Sequence, residues 1–286
     1  MEYAIQVTGL TKAYQDFTLD KVSFAVPKGS IMGFIGENGA GKSTTIKAIL
    51  NLIHRDAGTI EILGMDLDSQ EKQIKEKIGV VFDECCFHDN LTPADISKIL
   101  GNIYQNWDDQ LYQTYLKKFG LSEKKKIKDF SRGMKMKLSI AAALAHKPEV
   151  LILDEATSGL DPVVREEILD IFLEFIQNEN HAVLISSHIT SDLDKIADYL
   201  TFIHHGKIVF SAGRDELMDD MGIVKCSSDD LARISKEMII RYRKNQFGCE
   251  ILIKNRESFV AAHPEMILDP VTTESIMLFY SRGEEI

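Results

Sequence analysis

The stretch Gly36-Glu37-Asn38-Gly39-Ala40-Gly41-Lys42-Ser43-Thr44 fits the pattern G-x-x-x-x-G-K-[ST]. Apolar Ile31-Met32-Gly33-Phe34-Ile35 before it predicts a buried strand. After it, Ile46, Ile49, Leu50 and Ile53 recur at helical spacing over Lys42 to Ile53. Gly36, Gly39 and Gly41 let the backbone turn so that successive N–H groups point inward at phosphate oxygens. The helix N-terminus behind them adds partial positive charge. Lys42 can reach the β- and γ-phosphates, and the Ser43 hydroxyl can ligate Mg²⁺. The expectation is a nucleoside triphosphate site.

The chain has 286 residues, enough for one large domain and a small one. A formal net charge of -11 disfavours a sequence-independent grip on nucleic acid, which needs a basic surface. No apolar run approaches the roughly 18 residues that span a bilayer. Met1-Glu2-Tyr3-Ala4 lacks the basic start of a secretory signal. The expected location is therefore cytoplasmic, with any membrane role depending on a partner. Cys85, Cys86, Cys226 and Cys249 form no C-x-x-C pair, so a zinc site is not expected. Cys85 and Cys86 read as packing residues.

Tyr3 to Val7, Leu19 to Val26, Gly58 to Gly64 and Ile78 to Phe82 predict strands, with a polar turn at Lys12 to Asp16. Gln70 to Lys77 predicts a helix. From Asp83 the pattern turns helical: Thr92-Pro93 with Asp95 starts one helix reaching Tyr104, and Asp108 to Phe119 is a second. Tyr104, Trp107, Tyr112, Tyr115 and Phe119 are expected to pack a helical subdomain, and Lys124-Lys125-Lys126 with Lys128 to form a solvated face. Gly133 to Ala145 is a strong helix former. Val150-Leu151-Ile152-Leu153-Asp154-Glu155 is an apolar run ending in two carboxylates, as in a strand buried on both faces. Val163 to Asn178 and Asp192 to Tyr199 predict helices. Ala182 to Ser186 is a buried strand ending at Ser187-His188, and a hairpin turns at His205-Gly206. Beyond Gly213 the reading is helix over Ser228 to Met238, strands at Ile239 to Arg243 and Cys249 to Ile253, and helix over Thr273 to Tyr280. Ile251, Ile253, Phe259, Ile267, Leu268, Ile276, Leu278 and Phe279 are expected to pack it as a satellite domain.

With a phosphate loop upstream, Asp154 at the end of its strand is a candidate to hold Mg²⁺. Glu155, next along, is expected on the other side of the strand, where it could orient or deprotonate a water attacking the γ-phosphate. Ser131 in Phe130-Ser131-Arg132-Gly133-Met134 reads locally as a helix N-cap. In order, the chain carries the phosphate loop, a helical insert, this Ser-x-Gly helix start, the Asp154-Glu155 strand, Ser158-Gly159-Leu160-Asp161, and a strand ending in His188.

That order resembles the nucleotide-binding subunits of ABC transporters, over Met1 to about Gly213. The resemblance implies an α/β fold: a P-loop NTPase core with a RecA-like mixed sheet and an antiparallel β subdomain, plus a helical signature subdomain at about 84–145. The ATPase domain would span 1–212, and 213–286 would be a small α+β accessory domain. ATP and Mg²⁺ are the implied cofactors. ATP would be held by Tyr14 (stacked on adenine), Gly36, Asn38, Gly39, Ala40, Gly41, Lys42, Ser43 and Thr44. Glu155 is the implied catalytic base and His188 the implied γ-phosphate contact; Ser43 and Asp154 are the implied metal ligands, with Asp83 as a further candidate. Ser158, Gly159, Leu160 and Asp161 would form the D-loop at a dimer seam. Ser131, Arg132 and Gly133 would bind the γ-phosphate held by the other subunit. The implied partners are a separately encoded membrane permease and a second nucleotide-binding subunit, identical or not, at the inner face of the membrane.

Two departures stand out. Arg132 and Met134 replace a glycine and the glutamine of Leu-Ser-Gly-Gly-Gln, and Asp83 with Glu84 follows Phe82 where the family usually has glutamine. These features and the C-terminal extension look most like bacterial exporter ATPases of the bacitracin-resistance, lantibiotic and amphipathic-peptide kind, which serve type-2 ABC permeases. The alternatives are a soluble ABC ATPase acting on nucleic acid or ribosomes, and a nucleotide-gated regulatory module. The single phosphate loop, the acidic balance and Glu155 weigh against them.

Overall fold

The computed structural model describes residues 2–284 apart from 232, 246 and 247. Its centre is a six-stranded sheet in the order Lys207–Gly213, Tyr199–His204, Ser30–Ile35, Ala182–Ser187, Val150–Asp154, Ile78–Val81. All neighbours are parallel except the first pair, which is the hairpin through His205-Gly206. Every residue of Ser30–Ile35, Val150–Asp154 and Ala182–Ser187 is buried, the consequence of apolar runs covered on both faces.

Alternation along these strands divides the interior in two. Ile31, Ile35, Leu151, Leu153, Val183 and Ile185 face one core; Met32, Phe34, Val150, Ile152, Ala182 and Leu184 face the other. The second core is closed by the helix Lys42–Ile49 and by an antiparallel sheet in the order Thr18–Pro27, Tyr3–Ala13, Ala57–Ile62, Met65–Asp66. The first core takes in the helical segments Pro93–Gly101, Asp109–Lys118 and Arg132–Leu144. Thr92 and Asp95 cap each other's backbone N–H groups at the start of the first, with Pro93 in its opening turn. Tyr112 and Phe119 are buried there, Trp107 and Tyr115 pack against them, and Lys124, Lys125, Lys126 and Lys128 are solvated. The P-loop NTPase core with a mixed and an antiparallel sheet is thus as expected.

Several boundaries differ from the sequence reading. The first strand continues through Lys12 to Ala13, because these residues pair with Leu19 and Thr18 of the next strand. The helix after the phosphate loop stops at Ile49, since Asn51 turns left-handed (φ 55°), so Ile53 lies outside it. The helix from Pro93 ends at Gly101, against which the Trp107 ring packs, and Tyr104 instead stacks on His146. Tyr199 belongs to a strand rather than to the preceding helix Thr190–Ile196.

After Gly213 come the helix Arg214–Asp220 and an antiparallel sheet in the order Ile239–Asn245, Gly248–Ile253, Gly222–Cys226, Leu268–Asp269. The continuous helix expected over Ser228–Met238 is replaced by a turn of helix at Ser228–Leu231 and a 3₁₀ turn at Lys236–Met238; Ala232 between them lies outside the described residues. Helices Arg256–Ala262 and Thr273–Arg282 follow. Ile251, Ile253, Phe259, Ile276 and Phe279 are buried, whereas Ile267, just before the short strand Leu268–Asp269, is 78% exposed. Leu252, Val271, Ile276 and Phe279 join the first core, and Tyr280 packs on Phe202 and Phe210 at ring distances of 5.4 and 6.1 Å. The segment therefore shares its apolar interior with the edge of the central sheet. Phe279→Ala is expected to cost about 3–5 kcal/mol, read from urea unfolding; a loss below about 1 kcal/mol would mean that this contact is dispensable.

Candidate nucleotide-binding site

The C-terminal ends of the parallel strands converge on a cleft of about 680 Å³, lined by Asp16, Phe17, Glu37, Asn38, Gly39, Gly41, Lys42, Ser43, Thr44, Asp83, Glu155, Ser158 and His188. Its size suits a small-molecule ligand. Gly41 precedes the helix Lys42–Ile49 with φ 115°, and no side chain caps that helix. Its first N–H groups therefore remain available to an anion. Gly36 serves differently from the turn role expected of it: a Cβ there would stand 2.5 Å from the Ile203 carbonyl oxygen. Its own carbonyl accepts a 2.8 Å hydrogen bond from Lys42 Nζ, and the Glu37 carbonyl accepts another at 3.3 Å. The lysine is thereby folded back along the loop at its base.

Strand parity places the first carboxylate. Asp154 continues the row Val150, Ile152 toward the helix bearing Ser43, and the parallel register pairs it with Ser186. Ser43 Oγ and Ser186 Oγ both donate to Asp154 Oδ1, at 3.2 and 2.6 Å. Ser186 also accepts from the Glu155 N–H at 3.1 Å. Glu155 departs from the alternation expected of it. Its φ is 55°, past the strand end, and its carboxylate turns into the cleft rather than to the opposite face. There Oε1 lies 3.6 Å from Lys42 Nζ and Oε2 lies 2.6 Å from His188 Nδ1. Both carboxylates thus meet the phosphate loop.

The remaining candidates divide between the cleft and its surroundings. Ala40 and Gly36 sit behind the lining. Tyr14 is 47% exposed and outside it, while Phe17, which shares its turn through a Tyr14 N–H to Phe17 carbonyl bond of 2.7 Å, is inside. Of the loop 158–161, Ser158 lines the cleft, Leu160 is buried, and Asp161 caps the helix Pro162–Phe175 by accepting from Val164 N–H. Ser131 caps the helix Arg132–Leu144 through Met134 N–H and does not line the cleft; neither do Arg132 and Gly133. Arg132 instead lines an adjoining cavity of about 610 Å³ that shares Asp83 with the cleft. Its guanidinium lies against Gly159, where a Cβ would stand 2.8 Å from Arg132 Cζ. Ser186 and Phe17 were not singled out from sequence. Phe17 had a signal, an aromatic beside Tyr14 in one turn; Ser186 depends on strand register.

A divalent cation fits these residues. Four carboxylates (Asp16, Glu37, Asp83 and Glu155) line a cleft whose loop geometry suits phosphate, and among the described residues Lys42 is the only lysine or arginine lining it. A polyanion there needs a cation to offset the repulsion. Among the described residues no three His, Cys, Asp or Glu side chains cluster as a metal cage. Ser43 Oγ and Asp154 Oδ1 are the oxygens that would hold such an ion.

Residues 19–158 match the ABC transporter family. Bacitracin transport ATP-binding protein BcrA of Enterococcus faecalis is 38% identical over 221 residues, covering 76% of this chain and 71% of that protein. The chain belongs to the ABC transporter ATP-binding family. Lantibiotic transport ATP-binding protein SrtF of Streptococcus pyogenes is 35% identical over 214 residues, covering 74% and 91% of the two chains. Among solved structures, the ATP-binding subunit of an ABC transporter superposes with a TM-score of 0.69 at 26% identity, covering 76% of this chain and 92% of that one. This ABC-type ATPase therefore has the fold and family expected from its sequence, and its transport relatives favour the transport reading over a nucleic-acid or regulatory one.

Ser186→Ala removes a hydrogen bond to a buried carboxylate, worth about 1.5–3 kcal/mol. ATP turnover should fall roughly 10- to 100-fold with the fold retained. Unchanged turnover would show that Ser186 has no part in setting Asp154.

Proposed function

We propose that this chain hydrolyses ATP to drive a separately encoded membrane permease, and that the transported compounds are amphipathic peptides or antibiotics of the kind named for its bacitracin and lantibiotic relatives. Among the described residues no helix is long and apolar enough to cross a membrane. A peripheral position on the inner membrane face, against the permease, follows from this reading.

The observation that carries the chemistry is Glu155 held between Lys42 and His188 at the mouth of the phosphate loop. The loop N–H groups and Lys42 bind the β- and γ-phosphates, and Tyr14 and Phe17 offer the base aromatic surface. Mg²⁺, when bound through Ser43 and Asp154, offsets phosphate charge, with Asp83 within the same cleft. Glu155 accepts a proton from the attacking water as its oxygen bonds to the γ-phosphorus. The bond to the bridging oxygen breaks, leaving ADP and phosphate. His188 fixes the Glu155 carboxylate through Nδ1.

Ser131, Arg132 and Gly133 lie outside their own chain's cleft, which supports a second subunit as the recipient of that helix start. Two clefts would then be completed across the seam, with Ser158 to Asp161 between them, in a homodimer or a heterodimer. Glu155→Gln should bind Mg-ATP, lose roughly 10²-fold or more of turnover and accumulate an ATP-bound dimer, measured by phosphate release and size-exclusion chromatography. Hydrolysis at the wild-type rate would remove Glu155 as the base.

A further inference from the structure

Asp192 is a carboxylate with no place in the chemistry above, yet it is only 2% exposed. It lies on the helix Thr190–Ile196, four residues after His188, and faces the helix that follows the loop 158–161. Arg165 on that second helix reaches both ways. Its Nη1 is 3.7 Å from Asp192 Oδ1, and its Nη2 donates to the Leu160 carbonyl oxygen at 3.2 Å. Thr157, buried between Glu155 and the loop, adjoins the same carboxylate. Burial and, less, the Glu166 charge push the Asp192 carboxyl up, while the Thr157 hydroxyl and the charges of Arg165 and Lys195 hold it down.

This group is poorly explained as a stabilising pair. No hydrogen bond of good geometry reaches Asp192 Oδ2, Arg165 Nε or the neighbouring Thr157 Oγ1, although all three atoms are buried. A buried ion pair is weak evidence for stability, and incompletely satisfied polar atoms subtract from it. What the group does provide is connection. Three segments that feed the cleft meet at it: Glu155 to Ser158, Leu160 through Arg165, and His188 through the turn of helix bearing Asp192.

We infer that Arg165 and Asp192 are positioning residues, which hold the Leu160 carbonyl and so set the loop 158–161 in register with His188 for hydrolysis. The inference rests on the ATPase reading. For comparison, Glu166 and Lys195 pair between the same two helices with both side chains about half exposed, their charges acting on Asp192 only through space.

The test is steady-state ATP hydrolysis by the full-length chain, with kcat referred to folded protein and melting followed by circular dichroism. Asp192→Asn and Arg165→Gln should each lower kcat roughly tenfold with KM for ATP within about twofold of wild type. The double variant should fall no further, as expected of residues acting through one contact. Glu166→Gln should keep the wild-type kcat. Arg165→Lys retains charge beside Asp192 but loses the fork, and should give a smaller loss in kcat. Wild-type kcat in Asp192→Asn or Arg165→Gln would overturn the inference, and so would multiplicative losses in the double variant. Losses of kcat and nucleotide affinity that track melting temperature would reduce the pair to a structural role and also overturn it. If Asp192→Asn does not fold, Arg165→Lys decides: a wild-type kcat there refutes the inference. Absence of hydrolysis in the wild-type chain would refute the ATPase reading instead.

Discussion

A buried carboxylate at the end of the central sheet is the constraint on which the site depends. Asp154 sits where two apolar rows stop and is satisfied by hydroxyls from two different segments, Ser43 of the phosphate-loop helix and Ser186 of the neighbouring strand. A carboxylate so placed is costly without partners. Satisfying it requires the parallel register of two strands and the docking of the helix Lys42–Ile49 at once. The same junction turns Glu155 out of the strand and into the cleft, because the Glu155 N–H bonds to Ser186 and its φ becomes left-handed. Packing of the core and the placing of the reactive groups are one problem here.

The rest of the chain supports this junction from two sides. The antiparallel sheet covers the face toward which Asp154 points, and the helical segments cover the other. The segment after Gly213 is continuous with the second of these through Leu252, Val271, Ile276 and Phe279, and its Tyr280 rests on the edge strands. Thr273 of its last helix also donates to Asp194, close to the buried Asp192. The C-terminal region is thus mechanically joined to the helix that follows His188.

The fold was legible because burial writes itself into these strands as unbroken apolar runs, and the phosphate loop announces strand, turn and helix together. Reading failed where tertiary pairing decides the outcome. Ser186 could not be matched to Asp154 without register, and Glu155 could not be sent into the cleft by alternation, which ends one residue earlier. Ile53 fitted a helical period that a left-handed Asn51 interrupts, and Ile267 is apolar yet solvated. Arg165 and Asp192 are ordinary charged residues in sequence. Only burial and the Leu160 contact distinguish them.

The central claim is that each ATP site is completed by two chains, since the cleft and the helix start at Ser131 lie apart within one. The most direct measurement mixes two inactive full-length variants, Lys42→Ala and Ser131→Arg, and follows phosphate release against their ratio. In a mixed pair one site carries both lesions and the other carries none. The account predicts that turnover returns on mixing and peaks near equal proportions. Full activity of Ser131→Arg alone, or no recovery at any ratio from two folded variants, would contradict it.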